Sequence, residues 1–262
     1  MFHRYPIVFY YIFFLLFILN LNAQNIKVSY VQTYDYGIPD NRFIDLYIDL
    51  NKNSSLQVIS LEEWLNFPNK ENNTTYTINA SIDRKVKYDY LLMNLEDRSI
   101  DIYSDFARKF YKVEDVFPEF KWELTKEIKK INGIEAHKAF GYYRGKKWEV
   151  WYAPSIPYSF GPWKFNGLPG LVLEVKDELN NNYFKIKKIE HNVKCTTCDI
   201  PFKQIDRVIS VKEFLLIQDE ILNFPLSDMP RDVIVGHNPV NFLDLEVEFE
   251  FPIDFSWERV QK

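Results

Sequence analysis

The sequence predicts a mainly β protein: an antiparallel, meandering sheet curled into an open barrel or half-barrel, with one helix in the C-terminal region. Three observations carry that expectation. Apolar and polar residues alternate over short runs, as where Ile44, Leu46, Ile48 and Leu50 share one face and Asp45, Tyr47 and Asp49 the other. Turn-forming residues punctuate those runs, as in Gly37-Ile38-Pro39-Asp40 and the polar stretch 69–73. Only one segment carries helical spacing together with a start signal.

Taken in order, strands are expected at 26–31, 42–50, 56–61, 74–83, 88–95, 99–106 and 122–131. The central hairpin is the clearest. Residues 136–143 run into Arg144-Gly145, where Gly145 supplies the positive φ of a tight turn, and 147–152 return. On the returning strand Trp148, Val150 and Tyr152 face one way, Glu149 and Trp151 the other. Residues 171–175 and 183–189 form a further pair around a turn at 177–182. Ser210 and Glu213 then make a capping box, and Val211, Phe214, Leu215, Ile221 and Leu222 recur at helical spacing until Pro225. The tail 244–251 alternates Leu245, Val247, Phe249 and Phe251 with three glutamates and reads as a strand. No repeat or low-complexity linker divides the chain, so one domain over 24–262 is expected.

Residues 1–23 read as a signal peptide. His3 and Arg4 precede an apolar run over 7–19, and small Ala23 stands before Gln24 as a cleavage point. A retained anchor is the competing reading, since a membrane span needs about 17–25 residues. A single Arg before the run and no basic cluster after it favour cleavage. The expectation is an exported protein, periplasmic, outer-membrane-associated or secreted, with no transmembrane span once the signal is removed.

Composition narrows the function. With 47% hydrophobic and 26% charged residues, the 262-residue chain is a folded protein rather than a disordered one. Its 32 Lys and Arg against 37 Asp and Glu leave a net charge of −5, without the basic excess that nucleic acid requires. No GxSxG surrounds a serine, no HExxH surrounds His137, His191 or His237, and neither a Walker loop nor GxGxxG occurs. Ser155 and Ser159 have no adjacent base, so a hydrolase would need a triad assembled from distant segments. The sequence therefore names no catalytic residue and requires no cofactor.

The two cysteines, Cys195 and Cys198, form a lone CxxC. In an oxidising compartment the plain reading is a local disulfide. A thiol-redox pair would need a helix N-terminus to lower one thiol pKa, but the motif follows a strand and precedes Pro201. A metal half-site is the third reading: His191, Cys195 and Cys198 supply three ligands, with His137 or His237 as a possible fourth.

Residues 153–170 connect two strands over an unusual length, and such loops are often functional. Six of the eight glycines lie between Gly133 and Gly170, and four of thirteen prolines between Pro154 and Pro169. That composition encodes a fixed path. Trp163, Phe165 and Leu168 either plug the open end of the curled sheet or form a prebuilt aromatic surface for a peptide, lipid or protein partner. The candidate binding residues are Trp151, Tyr152, Pro162, Trp163, Phe165, Gly167, Leu168, Pro169 and Gly170.

The run Gly161-Pro162-Trp163-Lys164-Phe165-Asn166-Gly167-Leu168-Pro169-Gly170-Leu171-Val172-Leu173 resembles the signature of the GLPGLI family of exported Bacteroidetes proteins. Trp122, Lys138-Ala139, Arg144-Gly145 and Trp151-Tyr152 before Ile156-Pro157 resemble it too, so the likeness covers about 122–189. Val172 replaces the family's final Ile, and Ala136 stands where many members carry Cys, so chemistry tied to that Cys does not carry over. The resemblance implies export and a β-rich fold, with some members beside outer-membrane transport genes. It implies no catalytic residue. The expected role is thus a non-enzymatic binding or scaffold protein for an apolar ligand, peptide or envelope partner, with metal or thiol-redox chemistry as the alternative and hydrolysis as the second.

Overall fold

The computed structural model describes residues 25–35, 39–60, 88–106, 109–195, 200 and 204–222. The signal segment, Cys198, His237 and the strands expected over 74–83 and 244–251 lie outside them. The described strands are β1 (Ile26–Asp35), β2 (Pro39–Asp49), β3 (Ser54–Ser60), β4 (Tyr88–Asn94), β5 (Ser99–Phe106) and β6 (Lys109–Asp115). They continue with β7 (Glu123–Ile131), β8 (Ile134–Tyr143), β9 (Lys146–Ala153), β10 (Leu171–Asp177), β11 (Asn182–His191) and β12 (Arg207–Ser210). One helix, α1 (Val211–Leu222), follows.

All twelve strands belong to one sheet in the order β12-β6-β5-β4-β3-β2-β1-β11-β10-β9-β8-β7. It is an open sheet, with β12 and β7 as its edges among the described residues. Neighbours are antiparallel except β12, which runs parallel to β6. The meander is interrupted once in its middle, where β1 pairs with β2 on one side and β11 on the other.

Two-residue turns set several registers. Arg144 and Gly145 take φ values of 48° and 76°, and Asn132-Gly133 between β7 and β8 takes 50° and 82°. Both are the left-handed pairs that match the twist of a hairpin. Asp177 closes the β10–β11 turn by accepting from the Asn181 and Asn182 N–H groups and from the Asn182 side chain.

Alternation then gives the sheet one buried inner face. Val28 and Tyr30 of β1, Ile44 and Leu46 of β2, Ile59 of β3, Leu91 of β4, Ile102 of β5 and Val113 of β6 all point there. Helix α1 covers the face near the β12 edge, where Phe214 meets Phe106 and Tyr111 at ring-centroid distances of 5.8 and 5.1 Å. Ser210 caps the helix, its hydroxyl accepting from the Glu213 N–H at 3.2 Å. The Glu213 carboxylate does not complete the expected box; it accepts from Arg207 instead.

Curling brings distant strands together. Asp115 at the end of β6 meets Arg144 in the β8–β9 turn at 2.6 Å, although seven strands separate β6 from β9 in the sheet. The connection 116–122 crosses from β6 to β7 and is held by Arg98, which pairs with Glu119 at 2.6 Å and stacks over Phe117. Two strands, β6 and β12, go beyond the sequence expectation, and the strand expected from Trp122 begins at Glu123. No helix among the described residues is long and apolar enough to cross a membrane.

Candidate functional site

The connection between β9 and β10 folds into a compact wall over the inner face. It starts with a turn in which the Ile156 N–H donates to the Ala153 carbonyl. The loop then flanks β10: the Leu171 and Val172 N–H groups donate to the Ile156 and Phe160 carbonyls at 2.9 and 3.0 Å. Phe160 and Asn166 form an isolated bridge, and the Ser159 hydroxyl donates to the Leu168 carbonyl at 2.8 Å. The glycines permit close backbone approach. A Cβ on Gly170 would stand 2.2 Å from the Ala153 carbonyl oxygen, and one on Gly161 2.7 Å from the Val172 Cβ.

At the tip, Trp163 takes a φ of 52°, a left-handed conformation that a bulky residue avoids. Gln57 of β3 holds it there. The Trp163 N–H donates to Gln57 Oε1 at 2.6 Å, and Gln57 Nε2 donates to the Trp163 carbonyl at 2.5 Å. One side-chain amide thus satisfies both polar groups of one buried residue of backbone. Tyr30 acts similarly on β10, its hydroxyl donating to the Val172 carbonyl at 2.6 Å. Burial pushes the Tyr30 hydroxyl far above its ordinary pKa, so it remains a donor.

The loop's rings join an aromatic cluster. Trp163 lies 5.5 Å from Trp148, 5.2 Å from Phe165 and 5.4 Å from Tyr143. Phe165 meets Trp148, Phe184 and Phe120. Phe120 stacks on Trp122 at 4.6 Å, and the Trp122 indole donates to the Asn166 carbonyl. Beneath the cluster, Lys164 is wholly buried and pairs with Asp115 at 2.5 Å, so Asp115 bridges Lys164 and Arg144. Burial pushes the Asp115 carboxyl up from its ordinary value, while Arg144 and the Val116 N–H pull it down.

The structure sorts the sequence-selected residues. Pro162, Trp163, Phe165, Leu168 and Gly170 are buried in the wall, whereas Gly167 and Pro169 face outward. Tyr152 lies on the inner face beside His137, at 6.0 Å. Trp151 points to the opposite, outer face. There Lys129 sits 4.2 Å above its ring and 2.5 Å from Glu174, and the indole N–H donates to Glu149. His191 ends β11, exposed, and Cys195 follows four residues later, with Cys198 beyond the described residues. Among the described residues no group of three His, Cys, Asp or Glu could hold a metal ion. Ser155 is exposed in the first turn, and the Ser159 hydroxyl is spent on the loop itself.

Sequence reading did not single out Gln57, Asp115 or Phe120. Gln57 had no local sequence signal; only the strand register shows that it interrupts an otherwise apolar inner-face row, between Leu46 and Leu91.

Residues 143–174 match the family described as "Protein of unknown function (Porph_ging)". That segment holds β9, the whole wall and the start of β10. No curated protein matches the chain. Two crystal structures of PNGF-II, in P21 and C2 forms, are similar in fold: TM-scores are 0.51 and 0.50, and identities 15% and 16%. They cover 74% and 76% of this chain but 33% of their own, so this chain spans about a third of the length of those proteins. A LolA superfamily protein from Nitrosomonas europaea aligns over 71% of this chain and 92% of its own, at a TM-score of 0.27 and 10% identity, too slight a likeness to carry fold or function.

Proposed function

We propose that this is an exported, non-enzymatic protein of the GLPGLI family that binds an apolar ligand, peptide or outer-membrane partner on the inner face of its sheet. The observation that carries the reading is the combination of an apolar inner face with a sheet left open at β12 and β7. A closed barrel of this kind would seal its interior; here the inner-face side chains are buried, and a ligand would reach them by parting the unjoined β12 and β7 edges rather than by breaking a strand pair. In this reading the signature loop is the rigid wall of the site. Trp163 and Phe165 have no exposed surface, so they support the wall from within rather than reach out to a partner. Gly167 and Pro169 are the parts of the loop that a docking protein would touch.

The test is titration with the apolar dye N-phenylnaphthylamine. A saturable, one-site rise in fluorescence, competed by lipid extracted from the purified protein, is the expected result; no saturable signal overturns the reading. A serine-directed probe should leave the protein unlabelled. Cys195 and Cys198 close a local disulfide in the same proposal, and intact-mass measurement with and without reductant checks it. Zinc at one equivalent would transfer the pair to the metal-site alternative with His191.

A further inference from the structure

Three of the most exposed large apolar side chains among the described residues stand around the β8–β9 turn. Val116 is 77% exposed, Leu179 72% and Tyr142 58%. Tyr142 lies opposite Lys147 across the hairpin. On the other side of Lys147, its carbonyl accepts from the Glu178 N–H at 3.1 Å, which sets Leu179 beside the same strand end. Val116 follows Asp115, whose carboxylate accepts from Arg144 of the turn at 2.6 Å and from the Val116 N–H at 2.7 Å. Lys147, between Tyr142 and Leu179, pairs with no carboxylate among the described residues. Its ammonium sits 4.6 Å from the centre of the Phe140 ring and 5.8 Å from that of Tyr142.

We propose that this hairpin tip docks on a phospholipid bilayer with anionic headgroups, Val116, Tyr142 and Leu179 entering the interface and Lys147 meeting phosphate. Exposed apolar side chains standing singly are ordinary; here three surround one turn with a cation among them. A stable protein partner needs a continuous patch of about 800 Å² per side, whereas a fluid interface receives separate side chains one by one. Tyrosine suits that boundary, because its ring is apolar while its hydroxyl reaches water. The whole chain carries a net charge of −5, so attraction to an anionic surface has to come from a local cation such as Lys147. The tips are already fixed, by the left-handed Arg144 and Gly145 and by the Asp177 carboxylate that closes the turn bearing Leu179, so little order is lost on docking. The site lies apart from the inner face and goes beyond the ligand-binding role.

The experiment is co-sedimentation of the protein, purified after signal cleavage, with vesicles of equal parts phosphatidylcholine and phosphatidylglycerol and with vesicles of phosphatidylcholine alone. The anionic vesicles should bind the protein more tightly. Replacing Val116, Tyr142 and Leu179 together by Ser should weaken that binding by about tenfold or more, equal to about 1.4 kcal/mol, with an unchanged thermal transition. Lys147→Glu should weaken binding to the anionic vesicles about tenfold and leave the neutral ones unaffected. Val208→Ser with Leu216→Ser, exposed elsewhere, should change nothing. Absence of vesicle binding overturns the proposal, as does binding that the triple variant leaves intact. A dimer that the triple variant dissociates, with no vesicle binding, assigns the tip to a second copy and overturns it too. The tip variants should titrate with N-phenylnaphthylamine like the unmodified protein, so the docking site and the inner-face reading fail separately.

Discussion

Between β8 and β11 the inner face is filled by rings, Trp148, Trp163, Phe165 and Phe184 among them, whereas between β2 and β6 it is filled mainly by Ile, Leu, Val and Met, with Phe106 and Tyr111 confined to the end beneath helix α1. The ring half is locked by groups that tolerate no displacement. Gly170 lies against the Ala153 backbone, Asp115 serves the buried Lys164 and the half-buried Arg144, and Gln57 fixes a strained Trp163. The aliphatic half relies on contact area, with helix α1 as its cover. Aliphatic side chains can shift to absorb a small change, while rigid rings and buried charges cannot. The comparison teaches that the loop's conformation, more than its apolar area, is what this sequence specifies.

The most damaging test of that contrast is Gly170→Ala. Its Cβ would meet backbone rather than a movable side chain, so a loss above about 4–5 kcal/mol is expected. Urea titration followed by tryptophan fluorescence should show little or no folded baseline; a near-native midpoint would mean the β9–β10 approach is soft. Asp115→Asn comes next. It leaves Lys164 buried beside a neutral group, and removal of one partner from a buried pair costs about 3–5 kcal/mol. Chemical denaturation measures it, and a loss under 1 kcal/mol (about the value of an exposed pair) would show that water reaches Lys164. Across the sheet, Ile102→Val should cost only about 0.5–1.5 kcal/mol and leave the near-ultraviolet circular dichroism of the ring half unchanged.

The smallest effect concerns pH. Burial pushes Glu149 up, but the Trp151 indole N–H together with Lys138 and Lys176 outweighs it and holds the carboxyl below its ordinary value. A carboxyl depressed on folding adds stability above its unfolded pKa, and that stability is lost as pH falls through the folded value. Glu149→Gln should therefore flatten the decline of the urea midpoint on acidification. An unchanged slope would assign the decline to other carboxylates.

The strands that alternate cleanly, such as β2, β5 and β9, were legible from residue order, and so was the open, mostly antiparallel sheet. The signature loop stood out by its glycines and prolines. Strand β6 did not, because Lys109, Lys112, Glu114 and Asp115 mask the short apolar pair Tyr111 and Val113; Asp115 points inward only because it meets Arg144 and Lys164. Strand β12 is four residues long and ends on the residue that caps the helix, so the capping signal obscured it. The Asn132-Gly133 turn carries a hairpin signal that the sequence reading passed over. The Gln57 clamp had no local signature, since its partner lies 106 positions away. Trp151 and Trp163 share a composition-rich stretch but occupy different faces, a distinction that only the alternation of β9 foretold.

Strand β1 is the hub of the sheet, with Ile26 opposite both Ile48 and His191. A chain made from its N-terminus onward can pair β1 with β2, and build out to β6, long before residues 182–191 exist. Until then the other side of β1 presents unsatisfied backbone groups beside Val28 and Tyr30, a template for any stray strand. Completion is therefore a late, long-range event, of the slow kind that topology imposes. A chain truncated before β11 is expected to self-associate through that open side of β1, which light scattering of the truncated protein would show.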